Sequence, residues 1–113
     1  MCGIAGWVDF TDNLFGQEAL IGAMAEVLSP RGPDASGTFL REHVALGHRR
    51  LIVVDPAGGA QPMTRSHNGK DYTIVYNGEL YNTLEIRQQL AARGHRFLSA
   101  HSDTEVLLIA YIE

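Results

Sequence analysis

The sequence has 113 residues, 45% of them hydrophobic and 19% charged, with a formal net charge of −4. That is room for one small domain with a single core, and the composition excludes a disordered chain. Nine Lys and Arg against thirteen Asp and Glu, with no basic cluster, argue against binding to nucleic acid. The longest apolar stretches, LIVV at 51–54 and VLLIAYI at 106–112, are too short to span a bilayer, so no membrane role is expected.

GIAGWVDF at 3–10 reads as a strand running into a turn. QEALIGAMAEVL at 17–28 carries Leu20, Met24, Val27 and Leu28 at helical spacing, and SPRGPD stops it. SGTFLRE at 36–42 reads as a strand, and VALGHRRLIVVD at 44–55 as a longer one buried on both faces. PAGGAQPM reads as a loop, and YTIVYNGELY at 72–81 as the strand best supported by β-branched and aromatic residues. Asn82, with Glu85 three residues on, predicts an N-cap for a helix ending at Gly94. Ser102 with Glu105 predicts a capping box for a last helix. That helix meets no stop signal and has an apolar face needing a partner, so the expectation is a domain incomplete on its C-terminal side.

A single cysteine permits no internal disulfide and fits a reducing, cytoplasmic setting, where the absence of a basic leader before an apolar core also points. The five histidines lack metal-ligand spacing, and no metal site is expected. The position of the cysteine is informative. Once Met1 is removed, Cys2 carries a thiol and an α-amine on one residue, and an amine of pKa about 8 is a suitable general base for its own thiol. An acyl-transfer nucleophile also needs donors for an oxyanion. Asn77 offers a side-chain amide and Gly78 a backbone N–H, unless Asn-Gly is simply a hairpin turn. Arg50 can grip a carboxylate and Asp103 an ammonium, although Arg50 also suits a solvated strand and Asp103 the first turn of any helix. RGPDASG at 31–37 also suits a surface turn.

Taken in order, MCGIAG at 1–6, RGPDASG at 31–37, LGHRRLIVVD at 46–55, GAQPM at 59–63, YNGELYN at 76–82 and SDTEVLL at 102–108 resemble the N-terminal glutaminase domain of class II glutamine amidotransferases. The branch most resembled is that of glutamine-hydrolysing asparagine synthetases. The resemblance implies an α+β fold, the αββα sandwich of N-terminal nucleophile hydrolases, of which residues 1–113 are the N-terminal part. It implies that Cys2 attacks the side-chain amide of L-glutamine, giving glutamate and ammonia through a thioester, with Asn77 and Gly78 as the oxyanion hole. Arg50 would hold the α-carboxylate and Glu79 and Asp103 the α-amino group, with Leu51, Ile52, Val53 and Val54 lining the pocket. The ammonia would serve ATP-dependent synthesis of asparagine from aspartate in a C-terminal synthetase domain, where ATP and magnesium are expected. AGGA at 57–60 lacks the ending of a phosphate loop, so this domain itself needs no cofactor. Two alternatives stand beside this reading: a truncated, non-catalytic amidotransferase-like fragment, and the amidotransferase part of a synthetase with another acceptor.

Overall fold

In the computed structural model, which describes residues 2–52 and 58–113, the chain is a mixed α/β domain of two sheets and three helices. The elements in order are β1 (Gly3–Val8), a 3-10 turn (Phe15–Gln17), α1 (Glu18–Val27), β2 (Ala35–Leu40), β3 (Val44–Arg50), β4 (Met63–His67), β5 (Lys70–Ile74), α2 (Thr83–Ala92) and α3 (Asp103–Ile112). The first sheet has strand order β1-β3-β2 and is antiparallel throughout, and the second is the β4–β5 hairpin.

β1 stops at Val8 because Asp9 turns its carboxylate onto the N–H groups of Thr11 and Asp12, an Asx-type turn. Helix α1 then lies across the first sheet. Leu14, Ile21 and Ala45 form its core, with Ala5, Trp7, Met24 and Leu40 packed around them. The inward face differs from the one the spacing suggested. Ile21 and Ala25 are buried, whereas Leu20 is 45% and Val27 78% exposed. ALIGAMAEVL is apolar almost all round, so periodicity alone leaves its buried side undetermined.

β3 is shorter than expected, ending at Arg50, and residues 53–57 lie outside the described segments. The strand expected over 72–81 runs only over Lys70–Ile74 and is the second arm of a hairpin whose first arm, β4, the sequence reading passed over. The turn is Asn68–Gly69, with φ of 51° and 79°, the doubly left-handed pair that an Asn-Gly hairpin turn needs. The other Asn-Gly, at 77–78, lies beyond the end of β5, in the segment leading to α2, and joins no two strands.

α2 and α3 pack on one another through Leu90, Val106 and Ile109, with Leu80, Ile86, Phe97 and Ile112 beside them. Gly94, at φ 95°, ends α2 as predicted. Asn82 makes no side-chain cap; its φ of −96° and ψ of 33° are not the extended backbone that a capping side chain needs. Ser102 does cap α3, accepting the Glu105 N–H at 3.3 Å. The reciprocal half of the expected capping box is absent, because the Glu105 carboxylate is engaged elsewhere. It accepts from the N–H groups of Leu98 and Ser99, from the Ser99 hydroxyl at 2.6 Å and from Arg65 Nε at 2.8 Å.

Burial pushes the Glu105 carboxyl upward, but these donors outweigh it and hold the group below its ordinary value. A depressed carboxyl pKa contributes stability above the unfolded value and loses it as pH falls through the folded one. Glu105→Ala therefore lowers unfolding free energy at pH 7 by about 3 kcal/mol, since several donors lose their acceptor at once. Urea titrations at pH 7 and below pH 4 check this; the difference between the two proteins shrinks at the lower pH.

Candidate functional site

One cavity of about 450 Å³ opens where the end of β3, the segment after β5 and the start of α3 meet. Cys2 lies on its wall, half-buried just before β1. The pairing of Gly3 with Arg49 carries Cys2 to the end of β3. There the Leu51 N–H donates to Cys2 Sγ at 3.4 Å, and the thiol faces the Leu51 carbonyl at 3.7 Å.

The RGPDASG segment fastens this junction. Arg31 Nε donates to the Cys2 carbonyl at 3.2 Å, Arg49 Nε to the Gly32 carbonyl at 2.9 Å, and the Ile52 N–H to Asp34 Oδ2 at 2.8 Å. The Asp34 N–H donates to the Arg50 carbonyl at 2.9 Å. A segment that composition alone reads as a surface turn is thus a brace under the cysteine.

Arg50, buried at the end of β3, reaches the same cavity, as do Leu51, Asn77, Gly78, Glu79 and Asp103. Ile52 does not line it; its side chain is exposed and its backbone is held by Asp34. Val53 and Val54 lie outside the described residues. Asp103 spends one oxygen on the Leu80 N–H at 3.0 Å, which fixes the carboxylate at the N-terminus of α3, where the helix dipole favours it. Among the described residues the wall therefore carries one guanidinium and two carboxylates beside the Cys2 thiol, a charge pattern suited to a zwitterion.

Gly59, Gln61, Tyr76, Ser102 and Thr104 also line the wall, although the sequence reading assigns none of them to the site and Ser102 only to a helix cap. Only the motif words around them were available, and a Gln between Ala and Pro has no periodic or capping signature. Behind them His48 is completely buried, with Nε2 3.3 Å from the Tyr76 carbonyl. Burial pushes its imidazole below the ordinary range; the Tyr76 bond opposes this and Arg50 adds to it, so His48 is neutral at pH 7. Among the described residues no cluster of His, Cys, Asp or Glu is placed to hold a metal ion, and no helix is long and apolar enough to cross a membrane.

The sequence model of a family described as a glutamine amidotransferase domain matches residues 1–113. The chain is 54% identical over 113 residues to asparagine synthetase (glutamine-hydrolyzing) 3 of Bacillus subtilis (strain 168), covering all of this chain and 18% of that protein. It is 46% identical over 95 residues to asparagine synthetase (glutamine-hydrolyzing) 1 of the same organism, covering 84% of this chain and 15% of the relative. Against asparagine synthetase (glutamine-hydrolyzing) 1 of Arabidopsis thaliana it is 35% identical over 113 residues, again covering all of this chain and 18% of the relative. The chain thus spans less than a fifth of the length of these relatives.

Gly37, on β2, packs directly against the backbone of Gln61. A Cβ there would lie 2.4 Å from the Gln61 carbonyl oxygen, so Gly37→Ala must push β2 and the 61–62 segment apart. The expected cost is about 1–3 kcal/mol, measured as a lower urea midpoint.

Proposed function

The chain belongs to the glutamine amidotransferase domain family, and on that premise we propose that it hydrolyses glutamine to glutamate and ammonia through a thioester on Cys2. The observation that carries this reading is the gathering of Cys2, Arg50, Asn77, Glu79 and Asp103, which lie up to a hundred residues apart in sequence, on one cavity.

With Met1 removed, the α-amine of Cys2 takes the thiol proton and the sulfur attacks the carbonyl carbon of the glutamine side-chain amide. The carbonyl oxygen becomes an oxyanion facing the Asn77 amide and the Gly78 N–H, whose partial charges stabilise it without reorganisation. The C–N bond breaks as the α-ammonium returns its proton to the leaving nitrogen, releasing ammonia. Water, deprotonated by the same amine, then cleaves the thioester to glutamate and restores the thiol. Arg50 suits the substrate α-carboxylate in a two-pronged contact, and Glu79 with Asp103 suits its ammonium.

The names of the relatives support asparagine synthesis from aspartate as the use of the ammonia. In that reading residues 1–113 are the N-terminal part of an αββα N-terminal nucleophile hydrolase domain, working in the cytoplasm beside a C-terminal synthetase domain. ATP and magnesium belong to that synthetase domain, and no residue of this chain is assigned to them. A synthetase with another acceptor would use the same glutamine site.

Intact mass before and after exposure to a glutamine-like diazo ketone tests the site. Loss of Met1 and one covalent adduct, absent from Cys2→Ala, are expected. A processed chain that takes no label favours a non-catalytic fragment and overturns the reading. Asn77→Ala should lower kcat by about 10²- to 10³-fold, the cost of one oxyanion donor, with ammonia release as the assay.

A further inference from the structure

The proposed reaction gives no part to Gln61 and Thr104 on the cavity wall or to His48 buried behind it. Gln61 and His48 hold the backbone of Tyr76, the residue before the oxyanion donors, and Thr104 holds Gln61. β5 has ended at Ile74, so side chains take over the bonds of this segment. The Tyr76 N–H donates to Gln61 Oε1 at 2.6 Å, and its carbonyl accepts from His48 Nε2 at 3.3 Å. A carbonyl can only accept, so His48 carries its proton on Nε2. Nδ1 then holds a buried lone pair with no hydrogen-bond partner. Such an orphan costs free energy, and among the described residues the bond to the Tyr76 carbonyl is what the ring makes in return.

Gln61 reaches further. Its Nε2 donates to Thr104 Oγ1 at 3.2 Å, in the first turn of α3. The neighbouring Asp103 takes the Leu80 N–H, so the 76–80 segment is tied to α3 near both ends. The amide orientation is fixed by chemistry, since Oε1 must face an N–H and Nε2 a hydroxyl oxygen. The Gln61 backbone is itself wedged against Gly37, as described above.

The geometry points to Gln61 as a positioning residue for glutamine hydrolysis: it holds the Tyr76 peptide so that Asn77 and Gly78 face the substrate carbonyl, and it links them through Thr104 to the helix bearing Asp103. This inference rests on the oxyanion and ammonium roles proposed above. A bond that fixes the peptide before two donors governs their aim, and small misplacements of such donors cost rate more than affinity.

A double-mutant cycle on the natural full-length polypeptide tests it. Gln61→Leu is expected to lower kcat for glutamine hydrolysis by about 10- to 100-fold with KM changed by less than about threefold. In the Gln61→Leu/Asn77→Ala double variant, kcat should be close to that of Asn77→Ala alone, because the clamp acts through a donor already removed. Thr104→Val deletes one hydroxyl at nearly constant volume and serves if Gln61→Leu fails to fold. It should lower kcat by about 3- to 10-fold, again without adding to Asn77→Ala. Losses that multiply with that of Asn77→Ala, or an unchanged kcat in the folded variant, overturn the clamp while leaving the proposed function in place. Absence of Cys2-dependent hydrolysis in the unaltered protein overturns both.

Discussion

The buried carboxylate of Glu105 is the constraint on which the cavity end of the chain depends. With none of its surface exposed, it draws the Leu98 and Ser99 N–H groups, the Ser99 hydroxyl and the Arg65 guanidinium onto one point. Those partners come from the loop before α3 and from β4, so a single charge fixes the start of α3 relative to the hairpin. Arg87 reinforces the same loop from α2, donating to the carbonyls of Ser99 and Ser102 while stacking over Phe97. Ser102, Asp103 and Thr104 follow directly, and all three face the cavity. A buried ion does not by itself make a protein more stable than an apolar substitute would; here it sets direction, and direction is what a binding wall requires.

The opposite wall is governed by β3. As the central strand of the first sheet, it is paired on both sides, which makes it the most tightly held backbone in that half of the chain. Its side chains divide by parity: Ala45 and Gly47 face α1, while His48 and Arg50 face away from it. The same two-residue period puts the buried cation at the strand end, beside the sulfur that Leu51 receives. The position of Cys2 is fixed from the same strand: it is tied to β3 through Gly3 and held by Arg31 at its carbonyl.

What could be read from the sequence followed this division. Cys2, Asn77 and Asp103 stood out because each sits where its chemistry is unusual or its motif word is distinctive, and the cavity brings them together. The two helices at the C-terminal side were placed to within a residue or two, since Gly94 and Ser102 act locally. The hairpin was missed because MTRSH and KDYTI are polar on most positions; with only Met63 buried, no alternation marks them, and the Asn68–Gly69 signal lacked the apolar flanks that would have given it meaning. Likewise Glu105 was read as half of a capping box. Its true partners, six to forty residues away, are set by tertiary packing that no local pattern encodes.

The charge pattern of the wall has a further physical consequence. Among the described residues the charged groups on the wall are Arg50, Glu79 and Asp103, and in the proposed reaction the Cys2 α-amine becomes a further cation once it has taken the thiol proton. In the proposed reaction the Asn77 amide and the Gly78 N–H face the oxyanion as oriented neutral dipoles, which stabilise it without reorganisation. A neutral His48 behind the Tyr76 carbonyl is consistent with this economy, because a charged imidazolium there would be buried beside Arg50 with an N–H pointing at nothing. In the proposed reaction the polar groups behind the donors thus hold backbone dipoles still, and the formal charges of the wall are kept for the α-carboxylate and α-ammonium, at the end of the substrate away from the reacting amide.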